Sequence, residues 1–389
     1  MKHIGIIGGG QLGVMLGESI NKLGSTAYAL GPQGSPASKF LAEFQPGDLK
    51  SQSDISEFAK GKDAIVLEVE HVDPLLLEAI ECPVFPRLDT LETCRHRRLE
   101  KEFLRDHELP HAQWDFVDSI DAAANTRFEF PCVSKTTVGG YDGLGQGIQG
   151  SQDRLVKSLE SASAEQLQHG FVLEELIELY TEVSCIVATD SNGDQVAFPV
   201  IENFHKHHVL DLSILPAEIP RNLADLVTET AKETARLLGS PGLITVEFFV
   251  TQVKPRGPHR SADGFYLLIN EIAPRPHNSG HLTRCGTSIS QFDALARILV
   301  GIPLVEPTLA NASGTWAMCN LLSDLWLPSK TLNTDALRAF PNIHEFFLYG
   351  KDPTRPKRKM GHVITHEPNA ESARKNMDEL RAHLSSSAR

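Results

Sequence analysis

The chain has 389 residues, 41% hydrophobic and 22% charged, which is an ordinary globular balance with room for two or three domains that bury their own cores. A net charge of −13 argues against a nucleic-acid surface, so an anionic substrate would have to meet positive charge gathered locally. No apolar run reaches the roughly 18 residues of a membrane span, and six scattered cysteines without a CxxC pair read as reduced, so a cytoplasmic protein with no membrane partner is expected.

His3-Ile4-Gly5-Ile6-Ile7 reads as a short buried strand, and Gly8-Gly9-Gly10-Gln11-Leu12-Gly13 opens a helix running to about Leu23. This is GxGxxG in strand–turn–helix context, where backbone amides can approach a phosphate. A dinucleotide site also needs an acid after the second strand, and Gly31, Pro32 and Gln33 stand there instead. The expectation is a Rossmann-like domain whose glycine turn serves another ligand or only packs tightly. Ala64 to Leu67 is a further buried strand, with Glu68 and Glu70 at its carboxyl end, where open α/β sheets bind ligands; a capping or surface pair is the plainer reading. Leu75 to Ile80 reads as a helix and Val84 to Pro86 as a strand. Asp89 to His107 reads as one long charged helix holding Arg97, Arg98 and Lys101, ordinarily a solvated face.

Phe130 to Thr136 looks like a strand carrying Lys135, and the stretch Gly139 to Gly147 that follows holds five glycines in nine residues. Such a loop can close over a polyphosphate while the lysine supplies a point charge. No GxxxxGKS or GxxxxGKT is present, and a kinase would place its lysine after the loop. Arg154 to Gln168 reads as helical, and Phe171 to Ile177 as an apolar strand broken by Glu174 and Glu175, with Glu182 beyond. His205, His207 and His208 have a metal-like spacing, but no acid or cysteine follows at ligand distance.

After a helix from about Leu223 to Leu238, Ile244 to Val250 and Tyr266 to Ile272 read as strands. If they pair, Glu247 and Glu271 form a hard oxygen site suited to Mg²⁺. The connection Thr251 to Phe265 should be an exposed insertion. Asn270 to His281 then delivers Arg275, His277, Asn278 and His281 within seven residues, a density of polar groups that reads as an active-site wall.

A lysine strand, a glycine-rich lid, an acid-bearing strand and two facing glutamates, in that order, resemble an ATP-grasp ligase. The Gly8 to Gly13 turn, the Gly139 to Gln146 lid, the Asn270 to His281 run and Arg358-Lys359-Met360-Gly361-His362 narrow the resemblance to the 5-(carboxyamino)imidazole ribonucleotide synthase family of purine biosynthesis. The resemblance implies an α/β chain of three parts: a Rossmann-like pre-ATP-grasp domain at 1–95, an ATP-grasp domain at 96–303 with its lid at about 130–170, and a small strand-rich domain at 304–389. It implies ATP contacts from Arg97, Lys135, Gly140, Tyr141, Asp142, Gly143, Leu144, Gly145, Gln146, Glu174, Glu175, Ile177, Glu182, His205, Asn270 and Glu271. It further implies Mg²⁺ on Glu247 and Glu271, and aminoimidazole ribonucleotide on Tyr141, Asp142, Lys351, Arg358 and Lys359, the last three cradling its phosphate. Arg275, His277 and Asn278 match the bicarbonate and carboxylation site, and a homodimer is implied as well. The chain departs from the family pattern at Val14, at Thr136 to Val138 where arginines are usual, and at His207 and His208. These departures keep a different amine acceptor open, and the glycine motif keeps an NAD-dependent oxidoreductase as a remoter alternative. Trp316 to Leu322 is expected as the central strand of the last domain, Arg355 to Lys359 as its basic loop, and Ala370 to Ser385 as a terminal helix.

Overall fold

The chain was analysed as a computed structural model that describes residues 1–140, 145–326, 331–351 and 357–385. Tyr141, Asp142, Gly143 and Leu144 of the expected lid, and Arg355 of the basic loop, lie outside the described residues.

Apolar runs too short for helices build the first layer. β1 (His3–Ile7) lies between β2 (Thr26–Gly31) and β4 (Ala64–Leu67), and β3 (Glu43–Pro46) and β5 (Val84–Phe85) complete a parallel sheet of order β3-β2-β1-β4-β5. The helix α1 (Gln11–Lys22) covers one face, over Ile4, Ile6 and Val66. Past the short α2 (Ala37–Phe40), α3 (Gln52–Ala59) covers the other, with Ile55 and Phe58 on Ile7, Leu30 and Ile65. The order in which strands are added reverses between β1 and β4, and at that crevice the Gly10 amide donates to Glu68 Oε1 at 2.6 Å. The group met at the start of α1 is thus the protein's own Glu68 side chain, whose carboxyl burial raises above its ordinary value. A Cβ on Gly8, whose φ is +124°, would lie 2.2 Å from Glu68 Cγ, and one on Gly10 would lie 2.7 Å from Oε1.

Three expected helices are corrected. Leu75 to Ile80 forms only the 3₁₀ turn Pro74–Leu76, started by the Asp73 side chain, because a segment closed off by Pro83 is too short to repay helix nucleation. The long helix splits into α4 (Leu88–Arg95) and α5 (Arg97–Asp106) at His96, which is extended at φ −120° and ψ 105°. The break frees the Arg97 amide to donate to Thr137 O at 2.9 Å, tying α5 to the strand that carries Lys135. Arg154 to Gln168 likewise divides into helices Gln152–Glu160 and Ala164–His169, since Ser163 and Gln166 form a capping box that starts the second afresh.

Four antiparallel strands form the lid layer: β6 (Trp114–Val117), β7 (Cys132–Thr136), β8 (Gln146–Gln149) and β9 (Phe171–Glu175), in the order β6-β9-β7-β8. The glycine loop joins β7 to β8. Beyond it come β10 (Thr181–Thr189), β11 (Gln195–Ala197), β12 (Ile201–Lys206), β13 (Val209–Leu215), β14 (Gly242–Thr251), β15 (Arg260–Ala262) and β16 (Phe265–Ala273). With β17 (Thr315–Leu322), β18 (Ile343–Leu348) and β19 (Lys359–Glu367) they make one ten-stranded sheet, β15-β16-β14-β10-β12-β13-β17-β19-β18, with β11 paired to β10. The sheet crosses the expected division at 303 and 304 through the β13–β17 pairing of Leu212 with Cys319 to Leu215 with Trp316. Helix Arg221–Leu238 packs Leu223, Val227 and Ala231 against the apolar face of β14 and β16, and helix Ala370–Ser385 covers β17 and β19. The connection after β14 is less exposed than expected. Pro258 O accepts from the His111 amide at 2.8 Å, and a Cβ on Gly257 would lie 2.3 Å from His111 O.

Gly8→Ala should destabilise the protein by about 3 kcal/mol, combining a disallowed φ with overpacking against Glu68. Gly34→Ala, at φ +79° with nothing within 4 Å, should cost only about 1 kcal/mol. Urea denaturation of the two variants gives the comparison, and equal losses would show that Glu68 is no obstacle.

Candidate active site

The site begins with one buried carboxylate. Antiparallel pairing of β7 with β9 brings Lys135 alongside Glu174, and Lys135 Nζ donates to Glu174 Oε2 at 2.9 Å and to Asn270 Oδ1 at 3.2 Å. From α5, Lys101 Nζ lies 3.6 Å from Glu174 Oε1 and donates to Asn270 O at 2.9 Å. Burial alone would raise the Glu174 carboxyl, but Lys101 and Lys135 override it and hold the group at about 2. Burial correspondingly pushes Lys135 below its ordinary value, against the pull of Glu174.

The two glutamates stand in register, Glu247 on β14 opposite Glu271 on β16, next to a bulge that shifts the ladder between Glu247 and Phe248. Glu271 Oε2 is 3.3 Å from Arg97 Nη1, and Glu247 Oε1 is 2.7 Å from His277 Nε2, whose other nitrogen lies 2.9 Å from Ser279 Oγ. Burial opposes ionisation of Glu247, yet the His277 imidazole holds it at about 2, with His205 and Lys359 adding to the effect. Among the described residues no three acid, histidine or cysteine side chains converge into a metal cage. Two carboxylates on one face are instead the donor set of a hard divalent cation that completes its shell with substrate oxygens and water, and the residues present fit such an ion.

Arg275 Nε pairs with Glu70 Oε2, and Arg275 keeps that carboxyl below its ordinary value despite burial. Asn278 is 7% exposed, and its amide nitrogen and oxygen have no partner among the described residues. His281 is fully buried, and burial together with His362 pushes it well below the ordinary histidine value. Lys351 Nζ donates to Gln11 Oε1 at 2.6 Å, so the cradle meets the glycine turn at the far end of the chain. Lys359 opens β19, and the Arg358 amide donates to Ser323 Oγ at 3.2 Å.

Other expected residues sit around this centre. Gly140 O is 3.5 Å from Arg97 Nη2, Gly145 O accepts from the Thr136 amide at 2.8 Å, and Gln146 pairs with Lys135. His205 Nδ1 lies 3.0 Å from Glu182 Oε1, a contact that raises the imidazole's pKa against the effect of burial. His207 and His208, at φ 53° and 65°, only make the exposed turn between β12 and β13. Glu175 turns its carboxylate to the Arg256 amide at 3.0 Å, and Ile177 lies half-buried just past β9. Sequence reasoning passed over Glu100 and Lys101 as a solvated face. Both are buried, and burial drives the Glu100 carboxyl up to about 7 against Lys101 and Arg97. The available signal was the spacing of Arg97, Lys101 and Leu104, which share one helical face with the core.

A lysine-bearing lid sheet above a second sheet with paired glutamates, preceded by a parallel α/β layer, defines an ATP-grasp ligase. The ATP-grasp domain profile matches residues 102–292, the ribonucleotide synthetase preATP-grasp domain residues 1–95, and the phosphoribosylaminoimidazole carboxylase C-terminal domain residues 317–376. N5-carboxyaminoimidazole ribonucleotide synthase of Saccharolobus solfataricus is 32% identical over 97% of this chain and 94% of its own length, and that of Brucella melitensis is 33% identical over 94% and 96%. A solved purK structure in complex with ADP superposes with a TM-score of 0.85 at 30% identity, covering 99% of this chain and 98% of the other. The chain belongs to the N5-carboxyaminoimidazole ribonucleotide synthase family. It spans 36% of a bifunctional purine synthesis protein of Dictyostelium discoideum and 63% of the phosphoribosylaminoimidazole carboxylase of Candida albicans, so it matches one portion of those longer proteins.

Glu174→Gln should cost about 3 kcal/mol at neutral pH by leaving two buried ammoniums uncompensated. The native carboxyl sits at about 2 rather than its ordinary 4.5, so its stabilisation is complete above 4.5 and is lost as pH falls toward 2. The stability gap between wild type and variant, followed by urea unfolding, should therefore close across that window; a gap that stays constant would contradict the assignment.

Proposed function

We propose that the protein uses ATP to activate bicarbonate and transfers the carboxyl group to the exocyclic amine of 5-aminoimidazole ribonucleotide, a step of de novo purine biosynthesis. The observation that carries this reading is the short path from Glu271 to His277. Glu271 faces Arg97, its register partner Glu247 is 2.7 Å from His277, and the same turn continues into Asn278, whose buried amide has no partner among the described residues. A phosphoryl donor at the glutamates and an acceptor at His277 would lie within reach of one another. The named activity of the Saccharolobus and Brucella relatives supports the reading, as does a solved Aspergillus clavatus N5-carboxyaminoimidazole synthase in complex with ADP and aminoimidazole ribonucleotide, 25% identical with a TM-score of 0.85 over 98% of each chain.

In this reading Arg97, Lys135 and the loop from Gly140 to Gln146 bind the polyphosphate, and Glu174, Glu175, Ile177, Glu182 and His205 surround the nucleoside. Glu247 and Glu271, with Asn270 beside them, would hold Mg²⁺, which when bound neutralises phosphate charge during transfer. Arg275, His277 and Asn278 hold bicarbonate and then carboxyphosphate; a buried amide with neither atom satisfied is a group that a polar ligand would complete. Lys351, Arg358 and Lys359, with Tyr141 and Asp142, hold the ribonucleotide. Carboxyphosphate hydrolyses readily, so closure of the lid serves to keep water out. The NAD-dependent alternative loses its anion site, because Glu68 already occupies the Gly10 amide. A cytoplasmic location and a homodimer, the latter measurable by size-exclusion chromatography with light scattering, belong to the same proposal.

ADP release in the presence of bicarbonate should depend on aminoimidazole ribonucleotide and should cease when EDTA removes the divalent ion. Release that responds instead to a different amine would reassign the acceptor. His277→Ala should lose at least about 100-fold in carboxylation, the scale of a lost acid–base or orienting group, and full product formation would sink its assignment. Glu271→Gln should abolish ADP release itself; turnover at the wild-type rate would contradict a metal role.

A further inference from the structure

β16 is paired with β14 along 266–273, but on its other side β15 reaches only Phe265 to Leu267. Past that point the outer edge meets the segment before β6 only at Ile269, whose amide donates to Pro110 O at 2.8 Å, and among the described residues side chains of α5 finish the edge around Glu271. Lys101 Nζ donates to the carbonyl of Asn270 at 2.9 Å, and the amide of Ile272 donates to Glu100 Oε1 at 2.6 Å. These are the peptide groups immediately before and after Glu271. The bracket falls where the β14–β16 register slips, between Glu247 and Phe248, so the ladder itself fixes Glu271 least firmly at this point.

Resting on the ATP-grasp reading above, we propose that Glu100 and Lys101 are positioning residues that clamp the backbone on both sides of Glu271, aiming its carboxylate toward Glu247 for divalent-cation binding. Neither side chain is near enough to solvent to act at a surface, at 2% and 0% exposure. Covering a sheet edge alone would be done more cheaply by neutral side chains, because a buried ammonium such as that of Lys101 pays a desolvation cost. The Lys101 ammonium gives the Asn270 carbonyl a charge-assisted bond, about twice as strong as a neutral one, and the Glu100 side chain has the reach to hold the Ile272 amide, which together give the stiffness that a ligand carboxylate needs. Lys101 also lies 3.6 Å from Glu174, so the same ammonium relates the metal strand to the carboxylate that holds Lys135.

The test is Mn²⁺ binding to the full chain with ADP present, followed by electron paramagnetic resonance, alongside steady-state kinetics. Glu100→Asp keeps the carboxyl group but withdraws the acceptor by one methylene, and should weaken Mn²⁺ about tenfold, the scale expected when support of a metal ligand is lost. Glu100→Gln retains an oxygen at the right reach and should stay within about twofold of wild type. Lys101→Met should match the Asp variant, with KM for the ribonucleotide little changed in all three. Wild-type Mn²⁺ affinity in folded Glu100→Asp or Lys101→Met overturns the clamp, as does a Gln variant as weak as the Asp variant. If the wild type binds Mn²⁺ but releases no ADP, the functional reading fails while the Mn²⁺ comparison still decides the clamp.

Discussion

Glu174 held between Lys101 and Lys135 is the interaction on which the rest of the site depends. It joins four elements from distant parts of the chain: α5 before the lid, β7 and β9 within it, and β16 of the large sheet through Asn270, whose main-chain and side-chain oxygens each accept from one of the lysines. A buried ion pair is weak evidence for stability as such. Its value here is geometric, because the three charges can be satisfied together only when lid, helix and sheet are in one arrangement.

The wider charge pattern follows the same logic. A chain of net charge −13 must gather cations where anions are to be received, and the fold draws them from both ends of the sequence. Lys351 reaches Gln11 at 2.6 Å, Arg275 pairs with Glu70, and Arg97 faces Glu271. Each of these three cations has an acidic or amide partner. Incoming phosphate or carboxylate groups would therefore exchange with internal partners rather than meet bare charge, which spares the protein the cost of holding uncompensated cations together.

Much of this was legible in the sequence because period and register are local properties. Alternation along 244–250 and 266–272 was enough to make Glu247 and Glu271 candidates for facing one another, and the structure pairs them directly. The lysine strand and the acid strand were equally plain. What was not legible depends on breaks and on burial. Nothing in Arg95-His96-Arg97 announces a helix break, since His96 adopts an extended conformation only because the Arg97 amide finds Thr137 O. Once α5 was read as part of one solvated helix, Glu100 and Lys101 could not be seen as buried. The role of the glycine turn was likewise undecidable, because its ligand is Glu68, 58 positions away in sequence.

The pairing of β13 with β17 has a consequence for motion. Since that ladder makes the strands of Glu247 and Glu271 and the β18–β19 end parts of a single sheet, sliding one against the other would break a row of main-chain hydrogen bonds. The four-stranded layer β6-β9-β7-β8 is a separate sheet, so it can shift against the larger one without unpairing a strand. The spacing between Glu247 and the strands β18 and β19 is thus fixed by main-chain pairing, whatever position the smaller sheet takes.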